Sequence, residues 1–228
     1  MTDSLKVGLI GGTFDPIHLG HLIVAEQVRT RLELDRMIFI PAGLPPHKLD
    51  EAITDPRHRL EMVRLATADN PYFALSRVDI DRLGPSYTVD TVRLFLDNWG
   101  ARAELYFLLG SDSLAELPSW RQPDQLIHLC RIVAVGRPGY NVNLAELDRL
   151  LPGVTNLIHI VDTPTLDISS SDIRRRVREG RSIRYLVPQA VEQYIDEHHL
   201  YLDLQKRGTR NGAIHSAGGR GKRPRRPL

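Results

Sequence analysis

The 228 residues are 42% apolar and 25% charged, which excludes wholesale disorder and fits one compact domain with at most a small appendage. A single cysteine, Cys130, excludes a disulfide framework or a multi-cysteine metal site, and the short apolar runs exclude a membrane span and a secretory signal, so a soluble cytoplasmic protein is expected. The formal charge of +2 is a tail effect: eight of the 30 Lys and Arg lie from Gln205 onward with no acid among them, leaving residues 1–204 at −6, so no basic nucleic-acid surface follows from the balance.

Leu5–Ile10 is an apolar run ending in Gly11-Gly12, which predicts a buried strand entering a tight turn. From His18 to about Leu34, Leu22, Ile23, Ala25, Val28 and Leu32 recur near helical spacing. Met37–Ile40 predicts a second strand, closed by Pro41. A helix is expected over Arg57–Asp69 with Leu60, Val63 and Ala66 as its apolar side, then a strand over Phe73–Val78 and a helix over Thr88–Trp99. Leu105–Leu109, Ile132–Val135 and Leu157–Val161 predict three more strands, and residues 188–204 a closing helix with Pro188 at its start. Short apolar strands alternating with amphipathic helices indicate an α/β fold: a Rossmann-like, doubly wound parallel sheet with helices on both faces. The domain is expected over residues 1–204. The basic, Gly/Arg-rich tail of 205–228 has no apolar period and is expected to be disordered.

In such sheets ligands bind at the carboxyl ends of the strands. The loop after the first strand reads Gly11-Gly12-Thr13-Phe14-Asp15-Pro16-Ile17-His18-Leu19-Gly20-His21. It is neither G-x-G-x-x-G nor a Walker loop. Its glycines let backbone approach a ligand, and Thr13 and Phe14 are expected to place amides near a helix start, where anions are favoured. His18 and His21 lie three apart and share one face of the first helical turn, with Gly20 leaving room for a phosphate. Two satisfied surface histidines, or a zinc site lacking an obvious third ligand, are the alternatives for this pair taken alone. The loop as a whole resembles the signature of the nucleotidyltransferase superfamily, whose His-x-Gly-His motif holds nucleotide triphosphates and which also occurs in class I aminoacyl-tRNA synthetases.

The later loops narrow the choice. Pro45-Pro46-His47-Lys48 puts a lysine on a stiff loop, as a phosphate clamp or an ordinary exposed residue. In Pro85-Ser86-Tyr87-Thr88, Ser86 and Thr88 are expected to cap the next helix or to leave its free amides to a carboxylate. Gly110-Ser111-Asp112 leads to Trp120, either core or a stacking surface for a flat ring. Gly136-Arg137-Pro138-Gly139 and Ile168-Ser169-Ser170-Ser171-Asp172-Ile173-Arg174 follow the last strands, with Arg174 able to reach back to phosphate.

In this order, from about Lys6 to about Leu200, these segments resemble the nicotinate-mononucleotide adenylyltransferase family. The resemblance implies ATP and nicotinate mononucleotide as substrates, nicotinate adenine dinucleotide and pyrophosphate as products, Mg²⁺ as cofactor, and a place late in NAD biosynthesis. Carried over, Gly12, Thr13, Phe14, Gly136, Ile168, Ser169 and Ser170 would meet ATP. His18, His21, Lys48 and Arg174 would act on its phosphates. Tyr87, Thr88, Asp112 and Trp120 would receive the mononucleotide, and no protein metal site is implied. Pantetheine-phosphate adenylyltransferase, which shares the first loop, is the nearest alternative, followed by a non-catalytic nucleotide-binding module. Nucleic acid enters only through the tail as an RNA-binding arm, and the oligomeric state, monomer or homo-oligomer, is left open.

Overall fold

The computed structural model describes residues 4–48, 51–136, 143–164 and 166–202. The expected disordered tail and the residues Arg137, Pro138 and Gly139 lie outside the described residues. The strands are β1 (Leu5–Gly12), β2 (Arg36–Pro41), β3 (Phe73–Leu75), β4 (Ala103–Gly110), β5 (Arg131–Gly136) and β6 (Ile158–Asp162). They form one sheet in the order β3-β2-β1-β4-β5-β6 with every pair parallel. Strand order reverses between β1 and β4, which is where a doubly wound sheet leaves a crevice for a ligand.

Helices cover both faces, so the strands read as continuous apolar runs rather than alternating ones. The helices are α1 (Leu19–Arg31), α2 (Pro56–Thr67), α3 (Val78–Asp81), α4 (Thr88–Trp99), α5 (Ser111–Glu116), α6 (Pro123–Leu129), α7 (Leu144–Leu150), α8 (Ser170–Arg178) and α9 (Gln189–Glu197). Neighbouring strand residues point to opposite cores. Phe39 joins Val28, Met62, Val63, Ile173 and Ile195 under α1, α2, α8 and α9. Ile38 and Ile40 join Val92, Leu114, Leu126 and Leu147 under α4, α5, α6 and α7.

Two expected elements are shorter than their sequence patterns. β3 stops at Leu75, and Val78 opens the one-turn helix α3 instead of ending a strand. Its apolar side chain suits either conformation, and the turn is bonded through Ile80 and Asp81 amides to the Arg77 carbonyl. The closing helix spans Gln189–Glu197, with Pro188 as its N-cap. It ends because His199 and Tyr201 adopt left-handed backbone (φ 52° and 64°) and turn the chain back onto the domain.

Leu126 is fully buried in the α4–α7 core, remote from the crevice loops. Leu126→Ala should destabilise the domain by about 2–5 kcal/mol. Urea unfolding should show a lower midpoint with an unchanged slope.

Candidate active site

A cavity of about 850 Å³ opens over the carboxyl ends of the central strands. That volume is large for one small molecule and suits two bound side by side. Gly12, Thr13, His18 and His21 form one part of its wall. Backbone geometry sets the two imidazoles. α1 begins at Leu19, so His18 is its N-cap residue, with extended φ −144° and ψ 169°. The His18 amide donates to Nδ1 of His21 at 3.2 Å. The rings stack with centroids 3.7 Å apart. A Cβ at Gly20 would stand 3.0 Å from His18 Nδ1, so glycine there lets the His18 ring lie across the helix start.

Burial lowers the His18 pKa to about 4. Burial, and secondly the neighbouring His18, hold His21 well below the usual imidazole range. Both rings are therefore neutral at pH 7. Because His21 Nδ1 accepts a proton, its own proton resides on Nε2, where it is free to donate. Nδ1 of His18 is buried with no partner among the described residues, which is costly for a polar atom.

The loop carrying these histidines is fastened from behind. Phe14 is buried, with left-handed backbone (φ 50°), and its ring meets His21 edge-on at 5.1 Å. α1 begins at Leu19, five residues beyond Phe14, so the chain makes an irregular excursion before the helix; the Phe14 side chain supplies packing against His21, while Thr13 lines the wall. The buried Asp15 carboxylate accepts from the Tyr201 hydroxyl at 2.8 Å and the Thr54 amide at 3.2 Å. Burial, reinforced by that carboxylate, pushes the Tyr201 phenol well above its usual range. Arg174 Nη1 donates to the Asp15 carbonyl at 2.7 Å, and Ser170 Oγ to the Pro16 carbonyl at 2.9 Å.

Arg59 is the largest of these fastenings and is only 1% exposed. Its Nη1 donates to the carbonyls of Thr13 (2.8 Å) and Ala42 (2.7 Å), Nη2 to Gly43 (3.3 Å), and Nε to Thr54 (2.9 Å). One guanidinium thus ties together the loops after β1 and β2 and the approach to α2. Sequence reading passed over it by taking Leu60, Val63 and Ala66 as the apolar side of α2. The buried stripe is Arg59, Met62, Val63 and Ala66, and an arginine at the head of an i, i+3, i+4, i+7 series was the available signal.

Ser86 and Thr88 do not cap α4 through their side chains, since Tyr87 is the N-cap residue and Thr88 the first helical one. Ser86 Oγ instead accepts from the Gly43 and Leu44 amides at 3.0 and 3.3 Å. Gly43 is pressed so close to α3 that a Cβ would lie 2.2 Å from the Asp79 carbonyl oxygen. Tyr87, Thr88, Asp112 and Trp120 all line the cavity. Trp120 packs edge-on against Phe107 at 6.5 Å and also lines the cavity. Gly136, Ile168, Ser169 and Ser170 complete the wall on the β5 side. Ser169 caps α8, accepting from the Asp172 amide at 3.2 Å.

Lys48 and Arg174 are not brought to the wall. Lys48 pairs with Glu51 at 3.4 Å beside His47, which does line the cavity. Arg174 is engaged behind the first loop by Asp15 and, at 3.4 Å, by Ser171. The charged wall residues that sequence reading missed are Asp79, Glu116 and Arg121. Asp79 is held by the Thr91 hydroxyl at 2.6 Å and Arg82 at 3.0 Å, and burial raises its pKa.

The Cytidylyltransferase-like family model matches residues 9–176, which span the histidine loop, the cavity wall and α8 up to Arg176. The chain is 45% identical to a probable nicotinate-nucleotide adenylyltransferase of Thermoanaerobacter sp. (strain X514) over 91% of its own length and all of the relative's. It is 49% identical to one of Roseiflexus sp. (strain RS-1), covering 87% of this chain and 98% of that one. The chain belongs to the nicotinate-nucleotide adenylyltransferase family. The fold is shared with the Plasmodium falciparum nicotinic acid mononucleotide adenylyltransferase complexed with NaAD, at a TM-score of 0.70 and 19% identity, covering 86% of this chain and 97% of that one.

Two outcomes follow from this geometry. Arg59→Lys keeps the charge but loses the fork and strands carbonyls, so stability should fall by about 1–3 kcal/mol. Amide hydrogen exchange should quicken around residues 13–16 and 42–44, with α6 unaffected at matched stability. The lowered His18 pKa also sets a pH dependence. Its folded value of about 4 lies below the unfolded 6.5, so its contribution is complete above pH 6.5 and is lost as pH falls toward 4. That loss should reach about 2 kcal/mol at pH 5. Urea unfolding at pH 7.5 and pH 5 should show at least that loss, since His21, also held low by burial, adds to it in the same direction, and His18→Asn should shrink the difference between the two pH values without abolishing it.

Proposed function

We propose that this chain transfers the adenylyl group of ATP to nicotinate mononucleotide, forming nicotinate adenine dinucleotide and releasing pyrophosphate in NAD biosynthesis. The observation that carries the reading is the pair of neutral, stacked imidazoles at the N-terminus of α1, opening into a cavity large enough for two nucleotides. An acceptor phosphate oxygen attacks the α-phosphorus of ATP, and the bond from that phosphorus to the bridging oxygen of the β-phosphate breaks in line. The acceptor phosphate is already anionic at neutral pH, so no protein base is needed. Positioning two anions and stabilising charge on the five-coordinate phosphorus supply the acceleration.

In this reading the imidazoles of His21, through Nε2, and of His18 donate to triphosphate oxygens. The backbone of Gly12 and Thr13 and the Ser169–Ser170 helix start approach the nucleotide, while Gly136 and Ile168 border adenine. Lys48 exchanges its exposed Glu51 partner for phosphate, a swap that costs little because such pairs contribute little. Arg174 uses its remaining donors on the leaving pyrophosphate while still holding the Asp15 carbonyl. The Thr88 amide at the start of α4 meets the pyridine carboxylate, the Tyr87 amide being taken by the Pro85 carbonyl at 3.0 Å, while Trp120 stacks on the ring and Asp112 faces the ribose side.

Mg²⁺ belongs to the proposal as a companion of the triphosphate, whose charge it would partly neutralise. Among the described residues no group of three or more His, Cys, Asp or Glu is set to hold a metal. Phosphate oxygens and water would be its ligands. Residues 1–204 would form the catalytic unit, acting in the cytoplasm. Among the described residues, no helix is long and apolar enough to cross a membrane.

Pyrophosphate release should be measured with ATP and, in parallel, nicotinate mononucleotide, nicotinamide mononucleotide and pantetheine phosphate. Turnover with the nicotinate compound well above the other two is expected. Preference for pantetheine phosphate, or release from none, overturns the reading. His21→Asn, which can still accept the His18 amide but lacks the outer nitrogen, should lower turnover about 10²-fold.

A further inference from the structure

Arg121 stands on the cavity wall directly after Trp120, with its guanidinium carbon 4.7 Å from the centre of the Tyr87 ring. Among the described wall residues it is the only Lys or Arg, whereas Asp79, Asp112 and Glu116 are all acids. Its guanidinium sits over the Tyr87 ring, and among the described residues no ion pair to it is found. Tyr87 is also the N-cap residue of the 12-residue helix α4. The cation therefore lies beside the face of Tyr87 and close to the positive end of that helix.

We infer that Arg121 is a specificity-determining residue that receives the ring carboxylate of the acceptor mononucleotide and so sets the preference for the acid over the amide. This rests on the adenylyl-transfer reading above. The two candidate acceptors differ in one group: a planar carboxylate with a full negative charge, or a neutral carboxamide. Backbone amides can donate to an oxygen of either, so alone they separate the two weakly. A guanidinium offers two parallel donors that match both carboxylate oxygens, whereas a carboxamide presents its NH₂ to the same fork. Stacking on Tyr87 orients the fork before the ligand arrives, which reduces the ordering cost of binding. Trp120, adjacent in the chain, offers the flat face for the ring itself.

The test compares wild type with Arg121→Gln and Arg121→Lys, measuring kcat/KM for nicotinate and nicotinamide mononucleotides at saturating ATP. The ratio of acid to amide should fall about tenfold in Arg121→Gln, and Arg121→Lys should recover part of it, since it keeps charge but not the fork. An equal loss on both substrates would assign Arg121 to their shared phosphate and overturn the inference. An unchanged ratio in an active variant would overturn it too, with the adenylyl-transfer reading intact. Wild type that turns over neither mononucleotide would instead remove that reading, and this inference with it.

Discussion

A single buried guanidinium governs the geometry of the cavity rim. Among the described residues no carboxylate is bonded directly to Arg59; it is satisfied by four main-chain carbonyls from three stretches of chain. Burial lowers its pKa, and the nearby Asp15 works against that shift. Such an arrangement makes sense where loops have to be held without rigid secondary structure of their own. Strand ends leave carbonyls unpaired, and a loop buried without partners for them would be unstable. Arginine supplies five donors in a fixed plane, so the distance between the Thr13 and Ala42–Gly43 loops is dictated by the size of the fork.

The same economy of backbone groups produces the histidine pair. A helix start leaves amides without partners, and here the His18 amide is taken by a ring nitrogen of His21. That bond settles which nitrogen of His21 carries the proton. Local helix capping and chemical readiness are thus one feature, since the nitrogen left over is a donor facing the cavity. Keeping both rings uncharged has a further consequence: they can pack face to face and against Phe14 without mutual repulsion.

The sheet and its polarity were legible because buried parallel strands leave unbroken apolar runs, and the six runs in this chain are separated by helix-length segments. The cavity wall was legible wherever a short, chemically unusual segment follows such a run, as at His18, His21, Thr88 and Ser169. What escaped is what depends on three-dimensional return of the chain. Ser86 looks like a cap in one dimension, but its oxygen is taken by the Gly43 and Leu44 amides some 42–43 residues earlier. Arg59 looks like one more polar residue on a surface helix until its place in the buried stripe is noticed. Lys48 and Arg174 were rightly seen as charges near strand ends, yet proximity in sequence to a strand end does not say which side of the loop a long side chain occupies.

Asp15 explains why the last described turn matters to the first loop. Its carboxylate is reached by Tyr201 from the far end of the domain and by Thr54 from the approach to α2, and its carbonyl is reached by Arg174 from α8. These contacts cross sequence separations of 186, 39 and 159 residues. Contacts of that span form only when the sheet and both helical layers are assembled, because closing such loops has to be offset by the rest of the fold. The rim that faces the cavity is therefore a property of the whole domain. The left-handed residues His199 and Tyr201 that end α9 turn the chain back to Asp15, and with it the histidines are held in place.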